Sequence, residues 1–157
     1  MEDYESIALQ GGCTWRWWAG VEDEMEKWDA EHEDEVAIQF LDTLVERAEK
    51  NGIKSDDLTA PEGRELNRPH IPWVGALKSP GIRHRKNEGT RTYRLYFSEV
   101  PVGENVLLAS RLSWKCSKWE KKFTKTHQTR QIRDAVGIVE KHCRDEACTC
   151  RMIVIST

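Results

Sequence analysis

Residues 91 to 112 constrain the fold of this chain more than any other stretch, because they read as two strands joined by a tight turn. Arg91 to Val100 alternates, with Tyr93, Leu95 and Phe97 on one face and Thr92, Arg94, Tyr96 and Ser98 on the other. That is the period of two that a pleated strand imposes. Val102-Gly103-Glu104-Asn105 supplies a turn, and Val106 to Leu112 is apolar enough for a central strand. Gly81 to Lys86, followed by Asn87-Glu88-Gly89, adds a shorter strand and a hairpin turn in front. Short connections of this kind pair strands antiparallel, so a meander is expected.

The flanking segments read mainly as helix. Val21, Met25, Trp28, Val36, Phe40, Leu44 and Ala48 recur at helical spacing, and Asn51-Gly52 is a stop, so one helix is expected over Val21–Lys50. Thr59, Pro61 and Glu62 look like the cap and first turn of a short helix ending near Asn67. Pro69, Pro72 and Pro80 keep His70 to Ser79 irregular or extended. Thr129 to Cys143 is a second amphipathic helix with Ile132, Ala135, Val136, Val139 and Cys143 on its apolar stripe. Ser6 to Trp18 opens with a strand, and Met152 to Ile155 closes with one. The fold class that follows is α+β, one domain over residues 1–157, with helices on one face of a small antiparallel sheet. Its other face, carrying Arg94 and Tyr96, is expected to stay open. Mean hydropathy of −0.70 leaves little aliphatic bulk, so Trp15, Trp17 and Trp18 either supply core or form a partner-binding cluster.

Charge is divided unevenly along the chain. Residues 1–66 hold 19 acids and 6 bases, a net of −13, while the remainder holds 8 acids and 18 bases, a net of +10. A polyanion-binding face in the second half is one consequence, and two mutually attracting solvated surfaces are the other. The basic run Lys115, Lys118, Lys121, Lys122 and Lys125 is interleaved with Trp114, Trp119 and Phe123. Cations beside rings suit RNA, whose backbone attracts charge and whose unpaired bases stack. Arg83, Arg85, Arg94 and Arg111 fall on three consecutive expected strands, and guanidinium is suited to phosphate. The acids at positions 21–35 should then lie away from the RNA site, or else mimic RNA and damp its binding. The acidic start, Met1 to Glu5, does not resemble a signal peptide, and no run approaches the roughly 18 apolar residues of a membrane span. Cytoplasmic residence without membrane contact is the expectation.

Three motifs in order resemble the RelE/ParE toxin superfamily, in particular the phage-derived HigB-like toxins of type II toxin–antitoxin systems. They are Glu65-Leu66-Asn67-Arg68-Pro69 with Leu77-Lys78, then Gly81-Ile82-Arg83-His84-Arg85 with Thr92-Tyr93-Arg94-Leu95-Tyr96-Phe97. The third is Val106-Leu107-Leu108 with Lys121-Lys122-Phe123-Thr124-Lys125-Thr126 and Ile132 to Ala135. The resemblance covers roughly residues 35–142. An insertion including Trp114 to Trp119 departs from it, as do His127 and Gln131, which stand where the family has Pro and Glu.

The resemblance implies a metal-independent endoribonuclease with no cofactor, cutting messenger RNA, on the ribosome, and held in check by a cognate antitoxin of helix-turn-helix type. Within the same superfamily the ParE branch binds DNA gyrase instead, and a catalytically inactive member that only binds a partner is the further alternative. Attack of a 2′-hydroxyl on its phosphate needs a base, cations for the dianionic intermediate and an acid for the leaving oxygen. Arg85 and Arg94 match the family's hairpin arginines, while His84, His127 and Tyr96 are the remaining candidates for proton transfer or base stacking. Arg83, Arg111 and the five lysines are the candidate RNA contacts.

His142, Cys143, Cys148 and Cys150 lack the paired Cys-x2-Cys spacing of common zinc sites, so no metal is expected. Purified protein should carry far less than one zinc per chain by elemental analysis. Stoichiometric zinc, lost on replacing Cys148 and Cys150, would overturn that expectation.

Overall fold

The structure is a computed structural model that describes residues 11–30, 35–53, 57–59, 63, 66–83 and 89–154. Its elements are β1 (Thr14–Trp17), α1 (Val21–Ala30), α2 (Glu35–Asn51), β2 (Leu58–Thr59), β3 (His70–Pro72) and β4 (Gly75–Lys78). They continue with β5 (Ile82–Arg83), β6 (Thr90–Glu99), β7 (Val106–Cys116), α3 (Lys121–Glu146) and β8 (Met152–Val154). The α+β class and the antiparallel pairing of β5, β6 and β7 are as expected, and β4, in the stretch expected to be irregular or extended, adds antiparallel to β6. β1 adds to the far side of β7 in parallel, giving the order β1-β7-β6-β4-β2 with β5 also on β6. β3 and β8 form a separate two-stranded sheet.

Burial explains why β6 is central. Tyr93, Leu95 and Phe97 enter the main core with Ile38, Leu41, Leu44, Val45 and Ala48 of α2. Tyr96 points the other way and is fully buried with Val74 and Ala76 beneath Ile132, Ala135 and Val136 of α3. Helices therefore cover both faces, and the face expected to stay open is closed over part of its length by α3. The expectation for Tyr96 as an accessible ring is corrected accordingly.

Three further expectations change. Val21 to Lys50 is not one straight helix: Met25 and Asp42 line one recess, whereas a continuous helix would hold them about 25 Å apart. The buried stripe of α2 is Ala37, Ile38, Leu41, Leu44, Val45 and Ala48, which leaves Val36 and Phe40 61% and 41% exposed. Thr59 pairs with Ala76 as a strand residue instead of capping a helix, and most of the rest of that expected helix lies outside the described residues. α3 begins at Lys121, eight residues before the expected start at Thr129, and β7 runs on to Cys116.

The tryptophans divide between roles. Trp15 and Trp73 are buried, Trp15 donating its indole N–H to the Val45 carbonyl at 3.1 Å, while Trp17 and Trp18 pack half-buried on the core. Arg68 of the family-like motif has a structural task, a bidentate contact to Glu140 of α3 at 3.1 and 2.7 Å. The pairing holds the Glu140 carboxyl below its ordinary range. Both side chains are over 30% exposed, so the pair contributes up to about 1 kcal/mol.

Two glycines test the packing in opposite directions. A Cβ on Gly12 would collide with the Glu49 carbonyl oxygen where β1 enters beside the end of α2. Gly12→Ala is expected to cost about 1–3 kcal/mol. Gly137 in α3 has open space around it, so Gly137→Ala should stabilise by roughly 0.5–1 kcal/mol. Urea midpoints of the two variants moving in the same direction would contradict this packing.

Candidate nucleic-acid interface

Cross-strand register builds a row of cations on the α3-facing side of the sheet. Lys78 of β4 stands directly opposite Arg94 of β6, which pairs in turn with Ser113 of β7. Two residues along, Thr92 is opposite Lys115. Like charges facing one another across a sheet repel, and the row concentrates positive potential on this face. Lys115 registers the crowding: burial first, then the charges of Arg94 and Lys78, lower its pKa from the ordinary lysine value.

α3 covers this face only from about Ile132 onward. Nearer its N-terminus a cleft of about 420 Å³ opens between helix and sheet. Thr92 and Lys115 form its floor, and Lys121, Thr124, Lys125 and Gln128 project from successive turns of α3 as its wall. Trp119 stands at the mouth, and among the described residues no carboxylate lines the cleft. The first turn of α3 holds no acid, so Lys121 and Lys122 add positive charge where the helix dipole is already positive. The rim is fixed by the end of the β6–β7 ladder, where the Thr90 N–H donates to Ser117 Oγ and the Ser117 N–H to the Thr90 carbonyl, both at 2.9 Å.

The expected site residues separate into groups. Arg94, Lys115, Lys121 and Lys125 converge on or beside the cleft. Lys118 and Lys122 are exposed and do not line it. Arg111 is turned to α3, donating from Nε to Gln131 at 2.7 Å with Asp134 at 3.9 Å, so helix packing holds the guanidinium expected to bind RNA. Arg83 has its backbone paired with Thr90, and its side chain, like His84 and Arg85, lies outside the described residues.

His127 is on the other flank of α3. It lines a smaller pocket of about 120 Å³ with Arg111, Ser113, Trp114 and Gln131, into which Glu24 of α1 also reaches. Its ring packs 5.1 Å from Trp119 and 6.1 Å from Phe123. Burial pulls its pKa below the ordinary histidine value, the hydrogen bond to the Trp114 backbone opposes this, and Arg130 and Arg111 add to the lowering. Of the described α1 acids, Glu24 thus faces the smaller pocket and none lines the Lys115 cleft. Sequence reading missed Lys78, Thr92, Thr124 and Gln128. For Lys78 the register of β4 is the signal, and no local pattern carries it.

The C-terminal cysteines are elsewhere, half-buried against Val100, Leu108 and Val139. Burial chiefly pushes the Cys143 thiol up to about 11, with the neighbouring Cys150 adding to it. Among the described residues no group of three His, Cys, Asp or Glu is placed to hold a metal ion, and no helix is long and apolar enough to cross a membrane. No protein-family model, curated protein or solved structure matches the chain.

The lowered pKa of His127 makes a pH prediction. The fold disfavours the imidazolium, so its contribution is fully present above the ordinary value of 6.5 and is lost as pH falls through the lower folded value. Between about pH 7 and about pH 5 the wild type should lose more stability than His127→Gln. Equal losses on denaturant titration would remove His127 as a buried neutral group.

Proposed function

We propose that this chain is a metal-independent endoribonuclease of the RelE/HigB-like kind, the toxin of a type II toxin–antitoxin system. In this reading it acts in the cytoplasm on messenger RNA at the ribosome and is neutralised by a helix-turn-helix antitoxin. The observation that carries the reading is the row Lys78, Arg94 and Lys115 laid across three strands, with Lys115 on the floor of a cleft that no carboxylate lines among the described residues.

The chemistry follows from that row. The reaction needs a base at the 2′-hydroxyl, and the amine placed on the cleft floor is that of Lys115. Lys115 takes the proton of the attacking 2′-hydroxyl. Arg94 and Lys78 stabilise the dianionic pentacoordinate phosphate. Lys121 or Lys125, as ammonium, donates a proton to the departing 5′-oxygen, and the product is a 2′,3′-cyclic phosphate. The steep positive potential also draws the polyanion toward the cleft.

A second reading has its own support. Tyr96 is buried and Arg111 is held by Gln131 and Asp134, so two residues of the expected set are engaged in the fold. This favours a member that binds gyrase or another partner and cleaves nothing.

Lys115→Met and Arg94→Ala distinguish the two. Each is expected to slow cleavage by about a hundredfold, roughly 3 kcal/mol, and to relieve growth arrest at equal soluble level. RNA recovered from wild-type cultures should end in cyclic phosphate. Intact RNA with poisoned gyrase would establish the second reading, and unchanged cleavage by both variants would remove the cleft from the reaction.

A further inference from the structure

Phe123 is 54% exposed although it sits in the first turn of a helix whose other apolar residues are largely buried. An apolar ring left in water forgoes the stabilisation that burial brings, and single exposed apolar residues are common enough to need no explanation. This one differs because it belongs to an ordered stack. Trp119 meets it edge-on with centroids 4.9 Å apart and planes at 88°. Trp119 is held in turn by Trp114 at 5.0 Å, and the Arg91 guanidinium lies 4.3 Å over the Trp114 ring. His127, one turn along α3, stands nearly parallel to Phe123 at 21°.

The helix divides its residues between two tasks. Lys121, Thr124, Lys125 and Gln128 face the cationic cleft, while Phe123 and His127 form the neighbouring ledge. Trp119 belongs to both, lining the cleft and supporting Phe123.

We infer that the Trp119–Phe123 ledge is a nucleobase subsite, which takes an unpaired base of a single-stranded polyribonucleotide whose phosphate lies in the Lys115 cleft. This deepens the nuclease reading and rests on it for the identity of the polyanion. Charge complementarity chooses the occupant: the cleft that Trp119 also lines presents Lys115, Lys121 and Lys125, which repel a basic partner and attract a phosphate chain. Stacking on a ring is open to every base, and a duplex cannot offer one without unpairing it. The ledge is fixed before binding, so little side-chain freedom is lost on contact.

The test uses the full chain and 2′-O-methyl oligouridylate, which binds without a 2′-hydroxyl to react. Its perfectly paired duplex and an inorganic polyphosphate of equal charge serve as comparisons, with fluorescence polarisation as readout. Phe123→Ala is expected to weaken single-strand binding at least tenfold, about 1.4 kcal/mol, and to leave polyphosphate binding unchanged. Phe123→Tyr should restore it, and both variants should match the wild-type melting temperature because the side chain is exposed. Equal binding of single strand and duplex, or equal weakening toward polyphosphate, would overturn the subsite. So would unchanged single-strand binding by Phe123→Ala together with lost binding of a co-expressed neighbouring antitoxin, which would make the ledge a protein dock. Cleavage of unmodified RNA is scored separately. Absent cleavage with Phe123-dependent single-strand binding refutes the nuclease reading and keeps the subsite; cleavage with Phe123-independent binding does the reverse.

Discussion

Ile132, Ala135 and Val136 of α3 close over Val74, Ala76 and Tyr96, and the rest of the site depends on where that contact stops. β6 is buried on both sides, by α2 through Leu95 and Phe97 and by α3 through Tyr96. A strand covered on two faces cannot slip by one residue without turning its core residues outward. Register is thereby locked, and with it the alignment of Lys78, Arg94 and Lys115 on one face. Beyond Gln131 toward its N-terminus α3 separates from the sheet with polar side chains, and the intervening space is the cleft.

The cost of this arrangement is electrostatic. Cations oppose one another across strands, and lysines crowd the positive end of α3. The local rules of helix and sheet are broken together at one place, and such coincidences are where function is expected. The acidic N-terminal half offsets the charge of the whole chain, to a net of −3, and none of the described α1 acids lines the cleft. Beside it Trp114, Trp119 and Phe123 form a neutral aromatic stack.

Much of the fold was legible in local patterns. The two-residue alternation of Tyr93, Leu95 and Phe97 placed β6, and Gly103 and Asn105, both at positive φ, made the turn to β7. The N-terminal part of α3 was not legible, because Lys121, Lys122, Lys125 and their neighbours carry no apolar stripe of helical period. That segment turns Lys121, Thr124, Lys125 and Gln128 to the cleft, and packs only Phe123 and His127 against Trp119. In α2 the expected stripe held at Leu44 and Ala48 but not at Val36 and Phe40, where Ala37, Ile38 and Leu41 turn to the core instead. Tyr96 and Arg94 share a face in the alternation, yet one is covered by α3 and the other lies beside the cleft.

Sequence alone determined the α+β class, the antiparallel meander, the division of charge between the halves and the basic, aromatic run from which Lys115, Trp119, Lys121 and Lys125 line the cleft. These are local properties: side-chain period, turn chemistry and composition act over a few residues. Tertiary structure decided which cations meet. Lys78 is brought beside Lys115 by register, Arg111 is drawn to α3 by Gln131 and Asp134, and Tyr96 is withdrawn beneath Ile132. Each depends on contacts between residues distant in the chain, and no local pattern encodes where a helix will leave a sheet uncovered.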